Sequence, residues 1–287
     1  MAITSEAVKN LREKTGAGMM DCKRALEATN GDMEKAIEYL RKKGAATAEK
    51  RADRVANQGM IVTKVANGGK LGVIVEINSE TDFVARSQDF IQFANDVASI
   101  IERQVPKSIV ELLALQYNEK RTVADALSDL VGKIGEKIEI KRFDVVTADN
   151  SVIEAYTHMG SKIGVLVELT TGAASEEVKT IARDVAMQTA AMSPNVVSRE
   201  QVQKNTIERE LDIYRQQAKN EGKPDQVVER IATGRLEKYF QEVVLLEQSF
   251  IKDASKSIKE VLQDASSKLN DKLGVRQFKR YQLGEEK

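Results

Sequence analysis

The first 57 residues carry a purely helical pattern of hydrophobic and polar positions. Thr4 or Ser5 can cap a first helix, which a turn with two glycines then ends. A second helix is predicted over Met19–Ala28 and a third from Asp32 to Leu40. We therefore predict a small three-helix module, followed by a linker helix.

From about residue 59 the pattern changes to that of strands. Two segments rich in β-branched residues flank Asn67-Gly68, a strong hairpin signal. The elements expected next are a helix with the apolar face Phe90, Phe93, Val97 and Ile101, a helix near 123–131 and a strand near 137–145.

This pattern then repeats. The segment around Gly164 echoes that around Gly72 at an offset of 92 residues, whereas Asp184-Val185-Ala186 echoes Asp96-Val97-Ala98 at 88. The second copy therefore lacks four residues between strand and helix. The repeat predicts two similar sheet-and-helix half-domains that pack together.

The second copy also carries an insertion. The last strand of the second copy, Lys279-Arg280-Tyr281, echoes Lys141-Arg142-Phe143 of the first copy at an offset of 138. The second copy therefore holds about 50 residues, between its helix and this strand, that have no counterpart in the first. Apolar residues at coiled-coil spacing predict that these form a helical hairpin: Ile207, Leu211, Tyr214 and Ala218. The predicted class is α+β. The predicted domains are a helical module and linker at 1–57, half-domains at 58–146 and 147–287, and a hairpin inserted at about 196–242.

The composition argues against several classes of function and of binding site. The 287 residues hold 44 basic and 44 acidic side chains, which argues against a surface devoted to nucleic acid or anionic lipid. A single cysteine, Cys22, and a single histidine, His158, argue against a disulfide framework and a Cys or His metal cluster, and we expect no cofactor. Without an apparent signal peptide or apolar span, the cytoplasm is the expected location.

Few residues indicate enzyme chemistry. No phosphate-binding or nucleophile-elbow motif is present, so we expect no enzyme, and His158 is interpreted as a surface histidine rather than a base. Lys23 could lower the pKa of Cys22, although a half-buried structural thiol is favoured. The stretch 41–54 carries a local charge of +4, which fits a solvated helix better than a nucleic-acid contact.

The loop at residues 78–86 contains the extra residues of the first copy. It places Phe83 beside Asp82, and the second copy has only a short link there. A loop specific to one copy is a place where function is added to a scaffold. The alternative is that Phe83 packs against its own sheet, and the residues alone leave both interpretations open.

Several motifs together resemble the bacterial elongation factor Ts family. The resemblance rests on the segment 11–23 (LREKTGAGMMDCK), Thr81-Asp82-Phe83-Val84, Lys133-Ile134-Gly135-Glu136, the segment 158–164 (HMGSKIG) and Gly222-Lys223-Pro224. Two features depart from the family. Met159 intervenes where Gly commonly follows His, and the sequence stops at Lys287, where many members continue into a helix that touches the partner.

The resemblance implies a guanine nucleotide exchange factor for elongation factor Tu, with an amino-terminal module of the ubiquitin-associated kind. It implies partner contacts at Arg12, Met19, Met20, Lys23, Ile134, Gly135 and His158. It further implies that Thr81, Asp82, Phe83 and Val84 dislodge the partner's Mg²⁺, which holds GDP. We expect no membrane and no direct nucleotide or nucleic-acid binding, and the hairpin could serve self-association. The rival hypotheses are a ribosome- or RNA-binding protein that uses 41–54, and a hydrolase that uses His158.

Overall fold

The structure, a computed structural model, describes residues 3–285. It mixes helix and sheet, which confirms the predicted α+β class. The amino-terminal helices are α1 (Ser5–Thr15), α2 (Met19–Ala28) and α3 (Met33–Lys50). The next elements are β1 (Gln58–Ala66), β2 (Leu71–Ser79), α4 (Asp82–Ala85), α5 (Gln88–Gln104), α6 (Ile109–Ala114), β3 (Gln116–Asn118), β4 (Arg121–Thr122), α7 (Val123–Ile134) and β5 (Ile138–Thr147). The last are β6 (Ser151–Thr157), β7 (Ile163–Thr170), α8 (Glu176–Met192), α9 (Lys204–Asn220), α10 (Asp225–Val243), β8 (Ser249–Phe250), β9 (Asp253–Ser257), α11 (Ile258–Leu269) and β10 (Gly274–Gln282).

Helices α1, α2 and the first half of α3 close around one small core. Thr4 caps α1, its hydroxyl accepting from the N–H of Ala7, and Gly16 ends the helix at a φ of 69°. Leu11, Leu26 and Cys22 are fully buried in this core. Burial raises the pKa of the Cys22 thiol, so the suggestion that Lys23 lowers this pKa is wrong.

The separate linker helix predicted after Leu40 is instead a continuation of α3. No helix breaker intervenes, and Gly44 lies where α3 crosses α7. A Cβ built on Gly132 of α7 would lie 2.8 Å from the Cα of Gly44, so the two glycines permit the close crossing. The basic stretch is therefore solvated on one side only, because its other side packs on α7.

Two three-stranded antiparallel sheets form the centre of the molecule, with the orders β1-β2-β5 and β6-β7-β10. Helix α5 covers one face of the first sheet, and α8 covers the corresponding face of the second. The apolar side chains of α5 that were predicted to form its buried face, Phe90, Phe93, Val97 and Ile101, are all buried.

The strand registers relate the two copies residue by residue. Gly72 and Gly164 occupy equivalent places on β2 and β7, as the offset of 92 indicates. On the third strand, however, Phe143 pairs with Val75 and Phe278 pairs with the equivalent Val167. The true offset is therefore 135, and the predicted 138 is wrong. A bulge occurs at the same point of both third strands.

The opposite faces of the sheets pack against each other. Ile61 and Ile74 of the first sheet meet Ile153 and Leu166 of the second, all at most 1% exposed. A Cβ on Gly72 would lie 2.7 Å from Ile153 Cγ2, and one on Gly164 would lie 2.5 Å from Ile61 Cγ2. These reciprocal contacts relate the two sheets by an approximate twofold axis and leave no room there for a side chain.

The inserted segment forms two helices, α9 and α10, joined at Glu221-Gly222-Lys223-Pro224. Ala218, Val228, Ala232 and Leu236 are buried along the helical pair. At its base, Arg199 lies over the ring of Phe240 and forms ion pairs with Glu237 and Glu247. These ion pairs and the buried apolar seam fasten the two helices to each other and to the second half of the chain.

Candidate partner-binding surface

The connection from β2 to α5 carries an exposed phenylalanine. Ser87 caps α5 and Ser175 caps α8, so the caps are 88 residues apart while the preceding strands are 92 apart. The four extra residues of the first copy equal the length of α4, the short helix that contains Phe83. Phe83 is 83% exposed, so the interpretation that it packs on its own sheet is wrong. Its neighbours Val84 and Ala85 pack on the core below.

Two glutamates hold this helix from its amino-terminal side. Glu136 accepts hydrogen bonds from the Thr81 backbone N–H (3.0 Å) and from the Thr81 hydroxyl (3.0 Å). Glu80 accepts from the Lys137 N–H (2.6 Å) and from the Arg51 guanidinium (2.7 Å). The Lys137 N–H, followed by Arg51, holds the pKa of Glu80 below its usual range. The start of the loop is therefore held by two carboxylates, that of Glu80 within the loop and that of Glu136 on the neighbouring turn.

These bonds join the loop to the turn between α7 and β5, which carries Ile134 and Gly135. Gly135 ends α7 at a φ of 79°, a conformation that favours glycine. A Cβ there would meet nothing within 4 Å, so the space beside Gly135 is open, whereas Ile134 is partly buried against the core of the first half-domain. The structure thus brings together two of the segments selected from the sequence, 81–84 and 134–135.

The amino-terminal module lies against the same turn. A Cβ on Gly16 would lie 2.6 Å from Cε of Lys133, which itself forms an ion pair with Asp89 at 2.7 Å. A cleft of about 830 Å³ lies beside the crossing of α3 and α7, lined by residues of the module and of α7. The four predicted contact residues of the module are all exposed side chains: Arg12, Met19, Met20 and Lys23.

His158 lies apart from these segments, on the turn from β6 to β7. It is exposed, its Nδ1 is 2.9 Å from the Tyr156 hydroxyl, and the adjoining Met159 is 88% exposed. The hydroxyl of Thr157 is 2.8 Å from that of Thr63 on β1. Both α4 and the turn after His158 contact β1, but no described hydrogen bond joins His158 to the loop residues.

Asp82 points to solvent beside its own helix. Its side chain is 42% exposed and pairs with Arg86 one turn later. Such an exposed pair contributes little to stability, so Asp82 remains available to a partner. In residues 3–285 we find no group of three His, Cys, Asp or Glu side chains able to hold a metal ion. Nor is any helix in that range long and apolar enough to cross a membrane.

Sequence reasoning missed three residues that support this surface: Glu80, Glu136 and Arg51. Glu80 lies inside the selected loop 78–86 and Glu136 ends the quoted motif Lys133-Ile134-Gly135-Glu136, but neither was given a role because no local pattern distinguishes it from the other acidic residues. Arg51 was counted only as part of a basic stretch. A signal for Glu136 existed in the repeat, since Asp271 holds the equivalent loop of the second copy, but only the correct offset of 135 reveals it.

The chain matches proteins of one family along its whole length. The family model described as Elongation factor TS matches residues 80–285. An elongation factor Ts from Chloroherpeton thalassium is 51% identical over 286 residues, covering 99% of each chain. One from Chlorobaculum tepidum is 48% identical, covering 98% of this chain and 99% of the relative. One from Clostridium perfringens strain SM101 is 45% identical, covering 99% of this chain and 93% of the relative.

Proposed function

This chain belongs to the elongation factor Ts family of translation elongation factors, and we propose that it is a guanine nucleotide exchange factor for elongation factor Tu. In this proposal it binds the GDP-bound GTPase, dislodges the Mg²⁺ that holds GDP, and so lets GTP bind. No covalent bond is made or broken, and the chain needs no cofactor of its own.

The observation that carries the proposal is the exposure of Phe83. A large apolar side chain, 83% exposed on a helix that only one copy possesses, contributes little to its own core. Burying such a side chain in a partner is favourable by about 1.5–3 kcal/mol. That free energy is available to a complex and is absent from the folding of the isolated chain.

The proposed mechanism is displacement. Phe83 enters the partner as a wedge while Asp82 adds a carboxylate nearby. Mg²⁺ demands near-ideal octahedral geometry, so a small displacement of its ligands weakens its hold on GDP. Arg12, Met19, Met20 and Lys23 on the module, and Ile134 and Gly135 on the adjoining turn, bind the partner beside the loop. His158 provides a further contact from the second half of the chain.

The finer architectural assignments belong to the same proposal. The module α1–α3 is of the ubiquitin-associated kind, the hairpin α9–α10 is a coiled coil that can serve self-association, and the boundaries are 1–57, 58–146 and 147–287. The cytoplasm is the compartment in which this function operates.

The rival RNA-binding function is disfavoured by the pairing of the basic stretch. Lys43 pairs with Asp21, and Arg51 pairs with Glu80. Cations already neutralised by carboxylates release few counterions on meeting a phosphate backbone. The hydrolase hypothesis has equally little support, because the described partner of His158 is a tyrosine hydroxyl rather than an orienting carboxylate.

The proposed exchange function can be tested through the thermodynamic coupling between GDP binding and binding of this chain. If the chain weakens GDP binding to elongation factor Tu, GDP must weaken binding of the chain by the same factor. GDP titrated into the preformed complex should dissociate it, measured by size-exclusion chromatography with light scattering, whereas ADP at equal concentration should not. A complex that resists millimolar GDP would contradict the exchange function.

A further inference from the structure

We propose that Glu136 is the positioning residue of the exchange loop: its carboxylate fixes the start of α4 and thereby the direction in which Phe83 leaves the surface. The inference rests on the proposed exchange function. Glu136 does not itself contact the nucleotide site of the partner, but it determines how Phe83 is oriented toward that site.

The geometry of Glu136 suits this role. One of its carboxylate oxygens accepts from the Thr81 N–H at 3.0 Å, while the Thr81 hydroxyl lies 3.0 and 3.1 Å from the two oxygens. Thr81 is the cap of α4, so both bonds act on the residue from which the helix starts. Because α4 has only four residues, it has almost no stability of its own and depends on such anchors.

The second copy has an equivalent acidic anchor but lacks the helix α4. Asp271 lies at the position equivalent to Glu136, on the connection from α11 to β10. It accepts from the Thr171 hydroxyl at 2.5 Å and from the Gly172 N–H at 2.9 Å. Each acid thus holds the loop of its own copy through one hydroxyl and one backbone N–H. The anchor is shared, whereas the exposed phenylalanine is specific to the first copy.

A second acid makes the loop rigid at the preceding residue. Glu80 accepts from the N–H of Lys137, the neighbour of Glu136, and from Arg51 just beyond the end of α3. The loop is therefore tied both to the turn after α7 and to the end of the module's last helix. Glu136 is the anchor nearer to Phe83, and its removal should change the direction of that side chain most.

The test compares Glu136→Gln with Asp271→Asn as a matched control. Each substitution removes one charge and replaces one acceptor oxygen by a donor, so both should lower the melting temperature by similar amounts. The rate of release of a fluorescent GDP from elongation factor Tu is measured at saturating concentrations of each variant. We expect Glu136→Gln to lower that rate about tenfold, the equivalent of one charge-assisted hydrogen bond, and Asp271→Asn to leave it unchanged.

A double substitution separates positioning from general destabilisation. If Glu136 acts through Phe83, adding Glu136→Gln to Phe83→Ala should cause no further loss of rate. Equal rates for Glu136→Gln and Asp271→Asn, or losses that multiply in the double variant, would overturn the inference. Should Glu136→Gln fail to fold, Thr81→Val removes the hydroxyl donor and is used in its place with the same expectations. An inactive wild type would instead contradict the exchange function itself.

Discussion

Among single residues, Glu80 contributes stability that depends on its charge. Its side chain is only 15% exposed and bridges the Lys137 N–H and Arg51, and Arg54 lies 3.8 Å away. Because these partners favour the ionised form, the folded pKa lies below that of the unfolded chain. Glu80 therefore contributes stability that is present above its unfolded pKa and is lost as the pH falls through its folded pKa.

We expect Glu80→Gln to lower the free energy of unfolding by about 1–2 kcal/mol at pH 7. The difference from wild type should stay constant at higher pH, begin to shrink near the unfolded glutamate pKa of about 4.3 and keep falling as the pH drops through the lower folded pKa. Urea unfolding at pH 7 and pH 3 measures it. Glu49→Gln, at an exposed glutamate near the end of α3, is the control and should change little. A difference as large at pH 3 as at pH 7 would show that the charge of Glu80 is unimportant.

At the scale of elements, the hairpin α9–α10 depends on a narrow seam and on ion pairs across it. Arg215 pairs with Glu229, and Arg235 pairs with Glu221. Gly234 lies inside the continuous helix α10, and a Cβ built there would meet nothing within 4 Å. The glycine therefore has no packing role in the isolated chain and only weakens its helix.

Gly234→Ala should stabilise the hairpin by about 0.5–1 kcal/mol, the usual difference between glycine and alanine inside a helix. Hydrogen exchange of the α10 amides should slow accordingly, while the amides of α5 should be unaffected. Gly132→Ala is the contrasting variant, because its Cβ would meet the backbone of Gly44 at 2.8 Å, and it should destabilise the chain. Faster exchange in Gly234→Ala would mean that the helix requires glycine there.

The elements also show where sequence patterns suffice. The apolar face of α5 and the hairpin at Asn67-Gly68 depend on local spacing, so the sequence predicts them. The extension of α3 was missed because the charged stretch after Leu40 was interpreted as a separate linker, whereas the packing of Gly44 on Gly132 of α7 joins it to the same helix. The register of β10 was wrong by three residues, since basic and aromatic residues recur along it. Only pairing with β7 selects between the two registers.

At the scale of the whole molecule, the two sheets pack back to back while the exposed loop lies on the helix-covered side of the first. Phe83, Ile134, Gly135 and the module are thereby placed along one region of the surface. The repeat in the sequence predicted that the loop was unique to one copy. It could not predict that Glu136 and Glu80 tie the loop down, because those bonds join residues more than 50 positions apart.

The most direct test of the central claim is GDP release with Phe83→Ala. Each 1.4 kcal/mol is about tenfold, so losing the burial of Phe83 in the partner should slow release about ten- to a hundredfold. The melting temperature should stay within about 2 °C of wild type, because the side chain contributes little to its own core. Val110→Ala, at a valine 80% exposed elsewhere, is the matched control and should exchange normally. Release of fluorescent GDP from elongation factor Tu at the wild-type rate, with Phe83→Ala folded, would contradict the account.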